Sequence, residues 1–237
     1  MSSPANRLSG TLDPDSVLEL LIGGLPHPAG YWVGFSGGLD STVLLHLLAS
    51  RRGRLPAPLS AVHVDHSLQP GSSDWAAHCR SECERLGVPL TLRVVDAAPA
   101  PGESPEAAAR SARYAAIAET LGPRSMLLTA HHLDDQAETL LLQLLRGAGV
   151  EGLAAMPVVR EWNAGWNARP LLGQRREQLH AWACSNEIGW IEDPSNADPA
   201  HTRVRLRRLR PALTAEGLTA DRLAAAAAAL GRARGAL

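Results

Sequence analysis

Lysine is missing altogether. All 23 basic residues of the 237-residue chain are arginine, so any phosphate contact made by a side-chain cation has to be made by a guanidinium. Alanine is abundant at the same time, which points to a compositional bias as much as to a function. Cysteine is scarce: Cys79, Cys83 and Cys184 are an odd number with no C-x-x-C pair. That excludes a disulfide framework and reads as reduced thiols rather than zinc ligands or a redox pair. No apolar run reaches about 18 residues, so no helix is expected to span a membrane. The first residues lead into no apolar signal segment, and the expected address is cytoplasmic.

What is present suffices for one good core and a small appendage, with 45% hydrophobic residues. The net charge of −1 hides an asymmetry: residues 1–159 carry 11 Arg against 16 acids, and residues 160–237 carry 12 Arg against 8. The last third is the basic part.

The most informative stretch starts at Tyr31, where an apolar run breaks into Ser36-Gly37-Gly38-Leu39-Asp40-Ser41 and resumes at helical spacing through Val43, Leu44 and Leu47. It reads as strand, loop, helix. The two glycines allow positive φ and close approach of a ligand to the backbone. Ser36 and Ser41 supply hydroxyls, and the first helical N–H groups from Leu39 onward make an anion site. Asp40 would repel a phosphate unless it holds a cation such as Mg²⁺ between itself and the phosphate oxygens. A tight connection with Asp40 as an ordinary N-terminal helix charge accounts for the same residues, so the loop alone does not choose.

Further on, residues 59–65, 90–95 and 125–130 read as strands, and residues 15–22, 73–86, 104–121 and 134–146 as helices. Near-continuous apolar strands alternating with helices imply an α/β fold with a doubly wound parallel sheet. In such a fold, ligands bind at the carboxyl ends of the strands where the strand order reverses. Residues 156–162 and 166–172 look like a hairpin, residues 174–184 and 200–213 like helices, and residues 221–230 like a helix with few apolar anchors.

A second informative stretch, Thr129-Ala130-His131-His132-Leu133-Asp134-Asp135-Gln136-Ala137-Glu138, ends the fourth strand. A helix beginning near His131 would put His131, Asp135 and Glu138 on one face, at i, i+4 and i+7. A plain reading has the acids complementing the helix dipole and the histidines capping it. A zinc site from His63, His66, His131 and His132 is disfavoured, since no cysteine joins them and there is no H-E-x-x-H.

The six residues Ser36 to Ser41 resemble the S-G-G-x-D-S signature of the PP-loop ATP pyrophosphatases. The His131–Glu138 stretch, with Arg146-Gly147-Ala148-Gly149 beyond it, resembles a block of one branch of that family, the tRNA(Ile)-lysidine synthetases. Val62-His63-Val64-Asp65-His66, the run from Glu106 to Tyr114, Arg169-Pro170-Leu171-Leu172 and Trp190-Ile191-Glu192-Asp193 are similar to the same branch, in the same order, over roughly residues 30 to 212. The resemblance implies a five-stranded parallel sheet with helices on both faces, a catalytic domain over residues 1–212 and a helical tail or linker over 213–237. It also implies an enzyme that uses ATP, Mg²⁺ and L-lysine to turn the wobble cytidine of the CAU-anticodon isoleucine tRNA into lysidine.

By the same resemblance Ser36, Gly37, Gly38, Leu39, Asp40, Ser41 and His63 would bind ATP, and Asp40 and Asp135 would hold Mg²⁺. Arg110, and Arg113 after it, would neutralise phosphate or the adenylated base. His131 would touch the reacting centre. Glu138 and Asp135 would receive the cationic lysine.

Residues 203–210 place five Arg in eight positions: Arg203, Arg205, Arg207, Arg208 and Arg210. Either this is a solvated basic face, or Arg203, Arg205 and Arg207 meet tRNA phosphates. With one Phe, two Tyr and six Trp, stacking on a flipped base has few candidates, chiefly Trp162, Trp166 and Trp190. Two departures from the branch stand out. Val204 replaces its usual Asn, and the chain stops where relatives continue into tRNA-gripping domains, as a minimal form or a truncated one. A homodimer is compatible with the sequence. A tRNA 2-thiolation enzyme of the same superfamily would need cysteine pairs, and a silent ATP-binding module would be expected to have lost Asp40, Asp135 or the glycine loop.

Overall fold

β1 (Gly30–Gly34) lies in the middle of the sheet because its neighbours on both sides are apolar and its own residues alternate between two cores. Tyr31 and Val33 point into one core and Trp32 into the other. The strand pairs in parallel with β2 (Leu59–Asp65) on one side and β4 (Ser125–Leu128) on the other. β3 (Leu90–Val94) extends the first side, and β6 (Gly165–Ala168) followed by β5 (Val159–Trp162) extends the second, in the order β3-β2-β1-β4-β6-β5. This computed structural model describes residues 11–65, 72–96, 98, 105–193, 198 and 202–235.

The strand order reverses between β1 and β4, as expected for a doubly wound sheet. α2 (Leu39–Ala49) is buried on nearly every side. With α1 (Pro14–Gly23), α3 (Ser72–Leu86) and α7 (Arg176–Ser185) it builds the larger core against one face. α4 (Pro105–Thr120) covers the other face, where Ile117 meets Val62 and Leu127. Ser104, where the helix read over 104–121 begins, lies outside the described residues.

The sheet has six strands rather than five. The hairpin over 159–168 is not an appendage: β6 pairs in parallel with β4, and β5 closes the edge as the antiparallel strand. Gly165 permits this, since a Cβ there would stand 2.1 Å from the Ser125 carbonyl oxygen. β6 can therefore lie against β4 only with glycine at that position.

The C-terminal helix is better anchored than its alanine run suggests. α9 (Ala220–Arg234) sets Leu223 and Ala227 against Ala137 and Leu140 of α5 (Leu133–Leu145). Asp221 pairs with Arg175. Among the described residues no helix is long and apolar enough to cross a membrane.

Cys79 and Cys83 sit in the larger core, where burial pushes both thiols up to about 12, whereas Cys184 is exposed. Thiolate is the reactive form. N-ethylmaleimide at pH 8 is therefore expected to label Cys184 alone in the native protein and all three thiols after denaturation. Native labelling of Cys79, read by peptide mass spectrometry, would contradict this packing.

Candidate functional site

The loops that leave β1 and β4 open side by side onto a cavity of about 730 Å³. This size suits a nucleotide. Its apolar wall comes from Val62, Val64, Tyr114 and Ile117, and its polar wall from Ser36, Asp40, Ser41, His131, Asp135 and three arginines, Arg110, Arg113 and Arg176.

The β1 loop is held from within. The Ser36 N–H donates to Ser41 Oγ at 3.2 Å, the two hydroxyl oxygens are 3.0 Å apart, and the Thr42 hydroxyl donates to the Gly38 carbonyl at 2.9 Å. Gly38 is the N-cap of α2 and offers no side chain, so the first-turn N–H groups at Leu39, Asp40 and Ser41 are left to an external acceptor. Gly37 has φ +80, and a Cβ there would meet Cys79 Sγ at 3.1 Å and Ile191 at 3.2 Å. From the outside, the Ile191 N–H donates to the Gly37 carbonyl at 2.8 Å and Ile191 bridges Gly38. The segment Trp190 to Asp193 thereby becomes the rim of the cavity.

The β4 loop differs from the sequence expectation. α5 begins at Leu133, with His132 as its N-cap. His132 Nδ1 accepts from the Asp135 N–H at 3.3 Å while the His132 N–H donates to Asp135 Oδ2 at 3.0 Å. His131 therefore precedes the helix and does not share a helical face with Asp135 and Glu138. Its Nδ1 lies 3.0 Å from the Thr129 hydroxyl. Burial first, then the nearby charges of Arg169, Arg110 and Arg203, bring His131 down to about 3, so the ring is neutral. His132 goes the opposite way. Burial alone would lower it, but Asp40, Asp135 and Asp134 surround it and raise it above the ordinary value. Its Nε2 stands 3.7 Å from Asp40 and 3.5 Å from Asp135. The Nε2 side of a 2%-exposed His132 thus stands between the two carboxylates of the cavity.

Asp40 Oδ1 is shielded from solvent and has no hydrogen-bond partner among the described residues. A carboxylate oxygen in that condition fits a hard cation. Asp135 shares His132 Nε2 with Asp40 and lines the same cavity, and Mg²⁺ ordinarily takes one or two carboxylates and completes its shell with water and substrate phosphate.

Nine of the sequence-predicted residues line the cavity: Ser36, Gly38, Leu39, Asp40, Ser41, Arg110, Arg113, His131 and Asp135. Gly37, in the same loop, is buried against Cys79 and Ile191. His63 is on the other face of the sheet, donating through Nδ1 to the Phe35 carbonyl at 2.8 Å, with Cys79 Sγ at 3.4 Å. It supports the loop from behind and does not converge with His131, and His66 lies outside the described residues. Glu138 is 1% exposed and clasped by Arg207 through contacts of 2.6 and 3.2 Å, with Arg203 at 3.6 Å. Arg203 and Arg207 thus face the acids of α5, while Arg205 is exposed on α8 (Thr202–Ala215) and donates to Thr202 at 2.9 Å. Arg210 pairs with Asp134 on the same inner stripe.

Sequence reasoning did not single out Arg176, and it offered His132 only as one of two capping histidines or as a disfavoured zinc donor. His132 is off the usual list of capping residues. For Arg176 the available signal was a cation at the start of a helix, where cations are normally disfavoured.

The sequence profile of the PP-loop domain matches residues 18–213. The tRNA(Ile)-lysidine synthase of Pseudomonas aeruginosa is 56% identical over 183 residues, 76% of this chain and 41% of that protein. The tRNA(Ile)-lysidine synthase of Xanthomonas campestris is 48% identical over 202 residues, 84% of this chain and 46% of that protein. The chain spans less than half the length of these curated relatives. Among solved structures, the U34-tRNA thiolase NcsA of Methanococcus maripaludis superposes with a TM-score of 0.73 at 18% identity, covering 92% of this chain and 77% of its own, a likeness of fold.

Proposed function

The chain belongs to the PP-loop domain family, and from that premise we propose that it ligates L-lysine to the wobble cytidine of the CAU-anticodon isoleucine tRNA at the expense of ATP. The observation that carries this is the pairing of an uncapped helix N-terminus at Leu39 to Ser41 with two cavity carboxylates, Asp40 and Asp135, tied by His132. The names of the curated relatives support the substrates.

Cytosine O2 attacks the α-phosphorus, the bond to the β-phosphate oxygen breaks, and its electron pair leaves with pyrophosphate. The lysine ε-amine then attacks C2 of the adenylated ring, AMP departs with the C2–O bond pair, and the amine loses its proton. The Ser36–Ser41 loop holds the departing pyrophosphate through N–H and hydroxyl donors already in place before charge develops. Asp40 and Asp135 would hold Mg²⁺, which supplies polarisation of the phosphoryl oxygens. Arg110 and Arg113 neutralise phosphate, that of ATP or that of the adenylated base. Neutral His131 offers a ring nitrogen to the reacting centre without adding charge. Asp135 faces the cavity and takes the charge of the amine, while Glu138 acts behind it by fixing Arg207. The outward Arg205 is the α8 contact for tRNA phosphate, and Arg203 and Arg207 hold that helix to the site.

Incubation with ATP, Mg²⁺, L-lysine and the CAU-anticodon isoleucine tRNA is expected to give tRNA-dependent AMP and lysine incorporation together. Folded protein that yields neither would sink the ligase reading. Lysine-independent sulfur transfer would point to a thiolation enzyme, against which the buried Cys79 and Cys83 speak.

A further inference from the structure

Arg176 opens α7 directly after the N-cap Arg175, so the positive end of this helix carries two cations. Each is unfavourable there. Arg175 is compensated by Asp221 and Glu177. Arg176 has a different setting: its backbone N–H donates to Asp134 Oδ2 at 2.8 Å, which fixes where the side chain starts. Its guanidinium lines the cavity, with Nε 3.8 Å from Asp40 Oδ1, too far for a hydrogen bond. That oxygen is the one with no hydrogen-bond partner among the described residues. A cation is therefore kept beside a carboxylate without being bonded to it, and 56% of its side chain is exposed.

A position that breaks a local helix rule with so weak a local compensation points to a functional demand. The chain has no lysine, and among the described residues the arginines that line the cavity beside the Ser36–Ser41 loop are Arg110, Arg113 and Arg176. Arg110 lies over the Tyr114 ring at 5.0 Å and Arg113 sits beside it on α4. Arg176 stands 3.8 Å from Asp40, and its planar fork suits two phosphate oxygens at once.

We propose that Arg176 is a catalytic residue that turns from Asp40 onto the phosphate chain of ATP and grips the pyrophosphate as the α–β bond breaks. The electron pair of that bond goes to the pyrophosphate oxygen, and Arg176 answers the added charge with N–H donors, with no proton transferred. This rests on the ATP-using reading above.

The test uses the full chain with Arg176→Ala and Arg176→Lys, measuring Mg·ATP affinity by calorimetry and pyrophosphate formation in a single turnover with tRNA. Arg176→Ala is expected to slow pyrophosphate formation by about 100-fold or more with ATP affinity changed much less, as for loss of one transition-state donor. About 20 mM guanidinium should restore a large part of the rate in Arg176→Ala and leave the wild type unchanged, and Arg176→Lys should recover only a part, as a single point donor. A rate for Arg176→Ala within about threefold of wild type, or a loss that guanidinium does not touch, overturns the proposal. Wild-type protein that binds no Mg·ATP overturns the ATP-using reading itself, and this one with it.

Discussion

Asp40→Asn is expected to lower AMP release by about 1,000-fold, which corresponds to about 4 kcal/mol of lost transition-state stabilisation. The substitution keeps the shape and one oxygen but removes the charge that a metal requires. Asp40 makes no hydrogen bond through Oδ1 and lies 3.7 Å from His132 and 3.8 Å from Arg176, so little structure depends on it. The melting temperature should stay within a few degrees. Turnover that survives in Asp40→Asn, or Mg²⁺ dependence of ATP binding equal to wild type, would show that Asp40 does not carry the metal.

His132→Ala should act on stability first. It removes the N-cap of α5 and leaves Asp40, Asp134 and Asp135 facing one another without the buried imidazole between them. Removing one partner from a buried charge cluster typically costs about 3–5 kcal/mol. That is a fall of roughly 6–20 °C in melting temperature for a chain of this size. The sign of the pH dependence follows from the raised value of His132. The stabilisation is fully present below the unfolded-state value near 6.5 and is lost as pH rises through the folded value. The gap between wild type and His132→Ala should therefore be wide at pH 6 and narrow toward alkaline pH. A gap that is constant or widens with pH, measured by chemical denaturation, would mean the ring is neutral in the native state.

The sheet was legible because buried parallel strands leave apolar runs, and the site was legible because its loops follow two of those strands. The start of α5 was legible to within one residue, but which of the two histidines caps it was not. Whether His131 or His132 caps depends on which ring nitrogen can reach the Asp135 N–H, and that is a matter of backbone geometry. The sixth strand was missed for a similar reason: the 159–168 hairpin announces itself, but its attachment to β4 rests on the room left by Gly165 beside Ser125. The inward stripe of α8 could have been found. Arg203, Arg207 and Arg210 recur at helical spacing, as do Asp134 or Asp135 and Glu138 on α5, and one stripe answers the other. What hid it was reading the five arginines as a single patch rather than as two faces.

The bridge between Gly38 and Ile191 bears on the order in which the protein is made. The nucleotide loop is encoded near the start of the chain, yet its outer clamp comes from residues that leave the ribosome long afterwards. Parallel sheets with distant pairings close slowly because loop entropy is spent before the contacts form. A nascent chain that has already built β1, α2 and β2 still lacks the Ile191 hydrogen bond to Gly37, so its nucleotide loop has only its internal hydrogen bonds. ATP affinity should consequently arise late and in a single step during synthesis, and half-made chains would not compete for the nucleotide.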